Sequence, residues 1–480
     1  MTDAEFDRFI CGGPNILVAP AGYGKTHTIA KSINALKSKS IEHVLVLTHT
    51  NAGITSIKEK MQKESVCARN VCIYTIAGFL QKIVQSLSDE LIEQKGNNKD
   101  FYQKLYSVAY SLVQNNTILR NVIESSFDHI FIDEYQDCDK AQFNIIHEIC
   151  GWNVKVHLLL DPLQTIFNFA TDHPDYLYKY KATLKNRPET VFSLDIPYRW
   201  RNVHSTLESA IPQWRTTIEN AIDSATYNID LKNLPGITYH SVSSQEAIRI
   251  LNSELYKNNN VLVLHSNSGF GNVVSRGYIA QSTGYRLRLV ESIDNKDFYE
   301  LAKSVDQSLS NGTHVFSIAT SIFTKCSSSK KAIESWIKDD RTVKKNKAED
   351  MNITSSLNEA ITSSSASFAI VAVSRILANT CKIKVQRIEL FNEILSAIES
   401  SSISGNSVEH EIEIKRNIAR VQGRKLYGKV IGTTLLTKGL EADSVIILKP
   451  SDLTKDRKGL MHLYVALTRA IHCVTLIDYS

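Results

Sequence analysis

The run Ala19, Pro20, Ala21, Gly22, Tyr23, Gly24, Lys25, Thr26 combines residue types that suit one task, holding a chain of phosphates. Gly22 and Gly24 let backbone N–H groups turn inward on an anion, Lys25 reaches the terminal phosphates, and the Thr26 hydroxyl can ligate magnesium (Mg2+). A chance turn before a helix is the competing reading. Context weighs against it: NILVA at 15–19 reads as a buried strand and HTIAKSINAL at 27–36 as a helix, whose N-terminus adds partial positive charge. A second cluster, Asp133, Glu134, Tyr135, Gln136 and Asp137, closes the run HIFID. Two adjacent carboxylates at the C-terminal end of a buried strand stand where a metal and an attacking water must be held beside a phosphate loop. Asp133 would hold the magnesium, directly or through water, and Glu134 would activate the water. An acidic surface turn fits poorly with the apolar run that leads into the pair.

These groups need elements to position them. Short β-branched runs alternate with helical stretches through the first half, at 15–19, 43–47, 129–133 and 155–161. A second series lies at 190–196, 260–266, 429–436, 444–449 and 473–478. Buried strands alternating with helices predict α/β architecture with parallel sheets, here in two halves. Two regions depart from that rhythm and read as helical: one from about 80 to 125, the other, rich in Ser, Lys and Asn, from about 295 to 424. The basic run from Arg341 to Lys347 reads as a solvated surface rather than a binding patch.

A chain of 480 residues exceeds a single hydrophobic core, so several folding units are expected. With 43% hydrophobic and 22% charged residues it is neither disordered nor fibrous. A net charge of +5 permits a nucleic-acid partner without arguing for one. The eight cysteines form no CxxC pair, which speaks against zinc and disulfide frameworks. The acidic start MTDAEFDRFICGG is unlike a signal peptide, and no stretch reaches the roughly 18 apolar residues that span a membrane, so a cytoplasmic protein without a membrane partner is expected.

DEYQD at 133–137 matches the DExQD box of the superfamily 1 helicases of the UvrD, Rep and PcrA type, and further boxes follow in that family's order. Thr48, His49, Thr50, Asn51 and Ala52 are similar to its TFTNKA element, and Thr75 to Phe79 to its THSF element. The run from Asp161 to Phe167 resembles GDxxQSIY, and Tyr198 with Arg199 resembles its YR pair. Thr437 to Glu441 resembles AKGLE, and LYVALTRA at 463–470 is nearly its last box.

The resemblance implies two RecA-like domains, each with a helical insertion. The first would comprise 1–80 and 126–188 around an insertion at 81–125; the second, 189–294 and 425–480 around an insertion at 295–424. It implies ATP as substrate and single-stranded or tailed DNA as the track, followed 3′ to 5′. Arg199 and Arg469 would reach from the second half to the γ-phosphate, Gln164 would sense that phosphate from the first, and Glu441 would contact the ribose. Phe167 and Phe169 would stack bases, although core packing suits them too. Thr48, Asn51, Thr75 and Thr434 would hold the DNA backbone, and His49, at a position where the family has Phe, would stack less strongly.

The sequence also departs from the pattern. Residues 1–18 contain no glutamine to read adenine, Leu160 replaces the leading glycine of the third box, and Phe169 is followed by Ala170 and Thr171 rather than Arg-Gly. The compact chain, ending soon after LYVALTRA, resembles the UvrD-like helicase subunit of Gabija anti-phage systems, in which an OLD-family nuclease is a separate protein. Any DNA cleavage is then expected from a partner. Two other readings stay open: a nucleotide-gated subunit that senses DNA and controls a nuclease, and an RNA-directed relative.

Overall fold

The computed structural model describes residues 1–39, 42–66, 69–88, 98–167, 190–265, 276–284, 286–291, 295–327, 337–339, 342–343, 351–362, 365–380, 385, 387–422 and 428–479. They group into two compact units. The first is built on Met1–Gly236 and takes in Leu453–His472; the second is built on Ile237–Arg420 and takes in the strands at 429–448 and the residues from Cys473 onward.

In the first unit β1 (Asn15–Val18), β2 (Val44–Thr48), β3 (Val71–Thr75), β4 (His129–Ile132), β5 (Lys155–Leu160) and β6 (Val191–Ser193) form one sheet in the order β3-β2-β4-β5-β1-β6. Every neighbouring pair is parallel. Strands β2 and β4 are buried along their whole length, which is why they read as unbroken apolar runs rather than alternating ones. Strand β6 pairs with β1 from Ile16–Val191 to Val18–Ser193, so the first sheet continues past residue 188, where the sequence places the domain boundary.

Helices are started by side-chain caps. Thr2 and Glu5 form a capping box at α1 (Asp3–Cys11). After the phosphate loop comes α2 (Lys25–Lys39). Thr50 caps α3 (Asn51–Lys63), and Thr75 caps α4 (Ile76–Leu87). The stretch expected to be helical between 81 and 125 holds the rest of α4, then α5 (Asn98–Asn115) and most of α6 (Thr117–Ser126). Leu105, Ala109 and Val113 of α5 share one core with Ile130 and Ile132 of β4 and with Ile145 and Ile146 of α7 (Lys140–Ile149). These helices therefore pack onto the sheet layer instead of building a core of their own.

The second unit holds β7 (Ile237–Val242), β8 (Val261–His265), β9 (Arg288–Leu289), the antiparallel pair β10 (Ile337–Asp339) and β11 (Thr342–Val343), β12 (Lys429–Gly432), β13 (Ala442–Leu448) and, from Cys473 onward, β14 (Ala470–Tyr479). Its sheet runs β7-β14-β13-β8-β12-β9. The chain leaves this sheet after β9 and returns at β12, and these two strands are parallel neighbours. A long insertion can thus enter and leave at one edge without breaking a pairing. Among its described residues the insertion is mainly helical, with a core of its own around Phe298, Phe323, Phe391 and Ile394. At its base Arg387 bridges Glu291 at 2.6 Å and Asp297 at 2.7 Å. Of the basic run, Arg341 and residues 344–347 lie outside the described residues, as do Cys67 and Cys381. Among the described residues no helix is long and apolar enough to cross a membrane. The α/β class with two parallel sheets agrees with the strand and helix alternation of the sequence.

Candidate functional site

Strands β4, β5 and β1 are consecutive in the first sheet, so the residues that follow them come side by side at the C-terminal edge. These are Asp133, Asp161 and the loop Ala19–Thr26. The loop is pinned at several points. Ala19 N donates to Leu160 O at 2.9 Å, and Ala21 N donates to Asp161 Oδ2 at 3.0 Å. Gly22 and Gly24 have φ of +77° and +92°, the left-handed region open to glycine. Space demands glycine as well, since a Cβ on Gly22 would lie 2.6 Å from the buried Trp200 ring. Gly22 O accepts from Arg199 N at 3.0 Å, and Tyr198, half exposed, packs its ring against Gly24.

Lys25 opens α2 and is buried. Its Nζ lies 2.7 Å from Glu134 Oε1 and 3.9 Å from Asp133 Oδ1. Burial opposes the ammonium form, but the Glu134 and Asp133 carboxylates outweigh it and hold the Lys25 pKa above the ordinary value. Burial also pushes Asp133 up to about 6, against the pull of Lys25 and with the help of the Glu134 charge. Glu134 itself has left-handed backbone, φ 54° and ψ 39°, which costs a non-glycine residue on the order of 1 kcal/mol. Local bonds hold it there: Glu134 N donates to Asp133 Oδ1 at 3.0 Å, and Asp137 N donates to Glu134 O at 2.8 Å. The Gln136 amide group donates to Glu134 Oε2, and its oxygen accepts from Asp161 N at 3.1 Å.

Asp161 links the parts. Fully buried, it accepts at Oδ2 from Ala21 N and from Gln164 Nε2 at 2.9 Å, and at Oδ1 from Arg215 Nη1 at 2.8 Å. Gln164 Oε1 in turn accepts from Arg469 Nη2 at 3.2 Å. Arg199 Nη1 donates to Thr468 O at 2.6 Å, and Trp200 Nε1 donates to Ala470 O at 2.8 Å. The sequence places Arg199 and Arg469 in a second half; by packing, both belong to the compact unit that carries the phosphate loop. The physical reason is local: Trp200 is wholly buried beneath Gly22, and it ties the 198–200 and 468–470 segments together.

The residues read as strand contacts are more dispersed. Thr48, at the end of β2, is buried, Asn51 begins α3, and Thr75 ends β3, so the three share the C-terminal edge of the same sheet. The Thr75 hydroxyl already accepts from Gly78 N at 3.0 Å as a helix cap. His49 Nε2 lies 3.5 Å from Cys138 Sγ, which connects this edge to the residues following DEYQD. Phe167 is half exposed, whereas Phe169 lies outside the described residues. Thr434, in a short helix, and Glu441, exposed before β13, belong to the second unit. Sequence reasoning assigned no role to Asp161, Gln136, Trp200, Arg215 or Tyr464. For Asp161 the signal was its place at the end of a buried run, and Tyr464 lies within LYVALTRA; Arg215 carried none.

The sequence pattern of the UvrD/REP helicase N-terminal domain matches residues 5–100 and 89–185. An ATP-dependent helicase/nuclease subunit of Lactococcus lactis subsp. lactis is 27% identical over 36% of this chain and 14% of its own length. ATP-dependent DNA helicase Rep of Buchnera aphidicola subsp. Schizaphis graminum is 23% identical over 33% of this chain and 27% of its own. The RecBCD enzyme subunit RecB of Buchnera aphidicola subsp. Acyrthosiphon pisum is 28% identical over 36% of this chain. The matched region thus spans about a quarter or less of the first relatives' lengths. The Pif1 helicase structure from Candida albicans overlaps 54% of the chain at 13% identity, with a TM-score of 0.27 that is too low to speak for a shared fold. The matched pattern falls on the segment that builds the phosphate loop, the Lys25–Glu134 pair and Asp161, and in that segment this chain is similar to the UvrD/REP helicases.

Proposed function

We propose that this chain is an ATP hydrolase that drives movement along single-stranded DNA from 3′ to 5′, and that it displaces a complementary strand where one is met. The observation that carries the reading is the Lys25–Glu134 pair at 2.7 Å, set on the C-terminal edge of three adjacent strands beside a glycine loop. For a triphosphate to be held, Lys25 must leave Glu134 for the phosphate oxygens. The Glu134 carboxylate is then released to take a proton from the attacking water. Arg199 and Arg469, held near the loop through Thr468 and Gln164, supply positive charge for the transition state. The ring of Tyr198 against Gly24 offers a stacking face for the base.

The residues fit a hard divalent cation. Asp133 is a buried carboxylate pushed toward protonation by burial, and Thr26 adds a hydroxyl at the start of α2. Asp133 and Thr26 offer only two protein oxygens of this kind. That suits magnesium, which keeps water and phosphate ligands. Bound there, magnesium would neutralise phosphate charge, with Thr26 and Asp133 as its protein ligands.

The track would pass the sheet edge that bears Thr48, His49, Asn51 and Thr75, with Phe167 as a stacking aromatic, and Thr434 would be a further backbone contact. A partner nuclease extends the reading: two of the relatives above are named as subunits of helicase/nuclease or RecBCD enzymes, and a separate OLD-type nuclease in anti-phage defence would be the analogous arrangement. A nucleotide-gated regulatory subunit is the competing reading, motivated by the altered third box, where Leu160 extends β5 by one paired residue. Strand displacement on duplexes with 3′ or 5′ tails distinguishes them. Displacement from the 3′ tail is expected; displacement from the 5′ tail alone overturns the polarity, and no displacement or translocation at all favours the regulatory subunit.

A further inference from the structure

Arg215 belongs to none of the motifs, yet it makes the direct ion pair to the residue that organises the site. It lies on the helix Ser205–Asp223, with Nη1 2.8 Å from Asp161 Oδ1 and 3.1 Å from the Tyr464 hydroxyl, and Nη2 2.9 Å from Glu219 Oε1. Asp161 is fully buried, and a buried carboxylate charge is costly without a paired cation. Its Oδ2 is occupied by neutral donors, Ala21 N and Gln164 Nε2, and its Oδ1 takes the charge partner beside a longer bond from Leu163 N at 3.3 Å. A second arginine stands one amide away, since Arg469 Nη2 donates to Gln164 Oε1 at 3.2 Å while Gln164 Nε2 donates to Asp161. Arg469 also donates to neutral oxygens at Val465 O and Thr468 Oγ1. A half-buried guanidinium thus meets the buried carboxylate directly, and a buried one connects to it through Gln164.

We infer that Arg215 is a positioning residue: by occupying Asp161 it keeps the Arg469 guanidinium on the neutral oxygen of Gln164, from which a phosphate can draw it. Without Arg215, Asp161 would claim Arg469, because an uncompensated buried carboxylate costs more than the exchange of one amide contact. A phosphate would then have to compete with a buried salt bridge for the same guanidinium. The consequence for turnover rests on the proposed nucleotide site, whereas the consequence for geometry does not.

The test uses the full chain with Arg215→Met, solved as a structure and assayed for ATP hydrolysis. In the structure Arg469 is expected to hydrogen-bond Asp161; Arg469 still on Gln164 overturns the inference, whether or not the chain hydrolyses nucleotide. In the assay kcat should fall by about 10- to 100-fold with a smaller change in KM, because the guanidinium that is diverted acts in the transition state. Adding Asp161→Asn removes the charge while leaving one oxygen for Ala21 and Gln164. The double variant should regain at least about 3-fold of the turnover lost in Arg215→Met, a rescue that a merely structural role for Arg215 would not produce. Arg215→Lys keeps a cation on Asp161 and serves if the Met variant fails to fold; it should retain most of the turnover, and a loss as large as that of the Met variant overturns the inference. A parent chain with no hydrolysis would defeat the proposed function, and the Arg215→Met structure, or an Arg215→Gln structure if the Met variant does not fold, would then decide this one.

Discussion

Lys25→Ala is expected to abolish the proposed ATP hydrolysis, with turnover falling by about 1,000-fold or more, since the side chain would both bind the terminal phosphates and offset their charge as it develops. The effect is larger than that of any other single substitution in the loop for a reason visible in the geometry. Lys25 Nζ sits between Glu134 at 2.7 Å and Asp133 at 3.9 Å, so its removal takes one shared cation from two neighbouring carboxylates. Asp133, already raised to about 6 by burial, moves further toward its protonated form and becomes a poorer ligand for a metal. The measurement is a steady-state hydrolysis assay beside a thermal melt that confirms folding. Full turnover in a folded Lys25→Ala variant would remove the loop from the chemistry.

Glu134→Gln separates binding from chemistry. The amide preserves shape and still accepts a hydrogen bond, but it cannot take a proton from water, so hydrolysis should fall by about 100- to 10,000-fold. Nucleotide binding should be retained or tightened. In the parent chain Lys25 must leave the Glu134 carboxylate to reach a phosphate, and the neutral amide removes that competition. Titration with a fluorescent ATP analogue, paired with single-turnover hydrolysis, reads both effects. Equal loss of binding and hydrolysis would make Glu134 a structural partner of Lys25 and no more.

The two clusters that carry these predictions were legible because their signals are local. A glycine loop between a strand and a helix, or two carboxylates closing a buried run, is contained in a few adjacent residues, and the parallel sheets follow from runs such as HVLVL and NVLVLHS. Long-range pairing was not legible. Arg215 meets Asp161 across 54 positions and Tyr464 across 249, and nothing in the spacing of a mid-helix arginine announces either contact. The same limit applies to β6, whose place beside β1 is set by tertiary pairing, and to the segment 453–472, which packs with the first unit although it leads into the last strand of the second sheet. Thr75 illustrates a different difficulty. A threonine at the end of a strand can contact a ligand or cap the next helix, and here its hydroxyl caps α4.

The central claim, a hydrolase whose turnover is coupled to a DNA strand, is tested most directly by measuring ATP hydrolysis by the purified chain alone, with single-stranded DNA, and with RNA of the same length. The account predicts a low basal rate, strong stimulation by DNA, weaker stimulation by RNA, and no stimulated rate in Lys25→Ala. A rate indifferent to nucleic acid, or one raised more by RNA than by DNA, would contradict it.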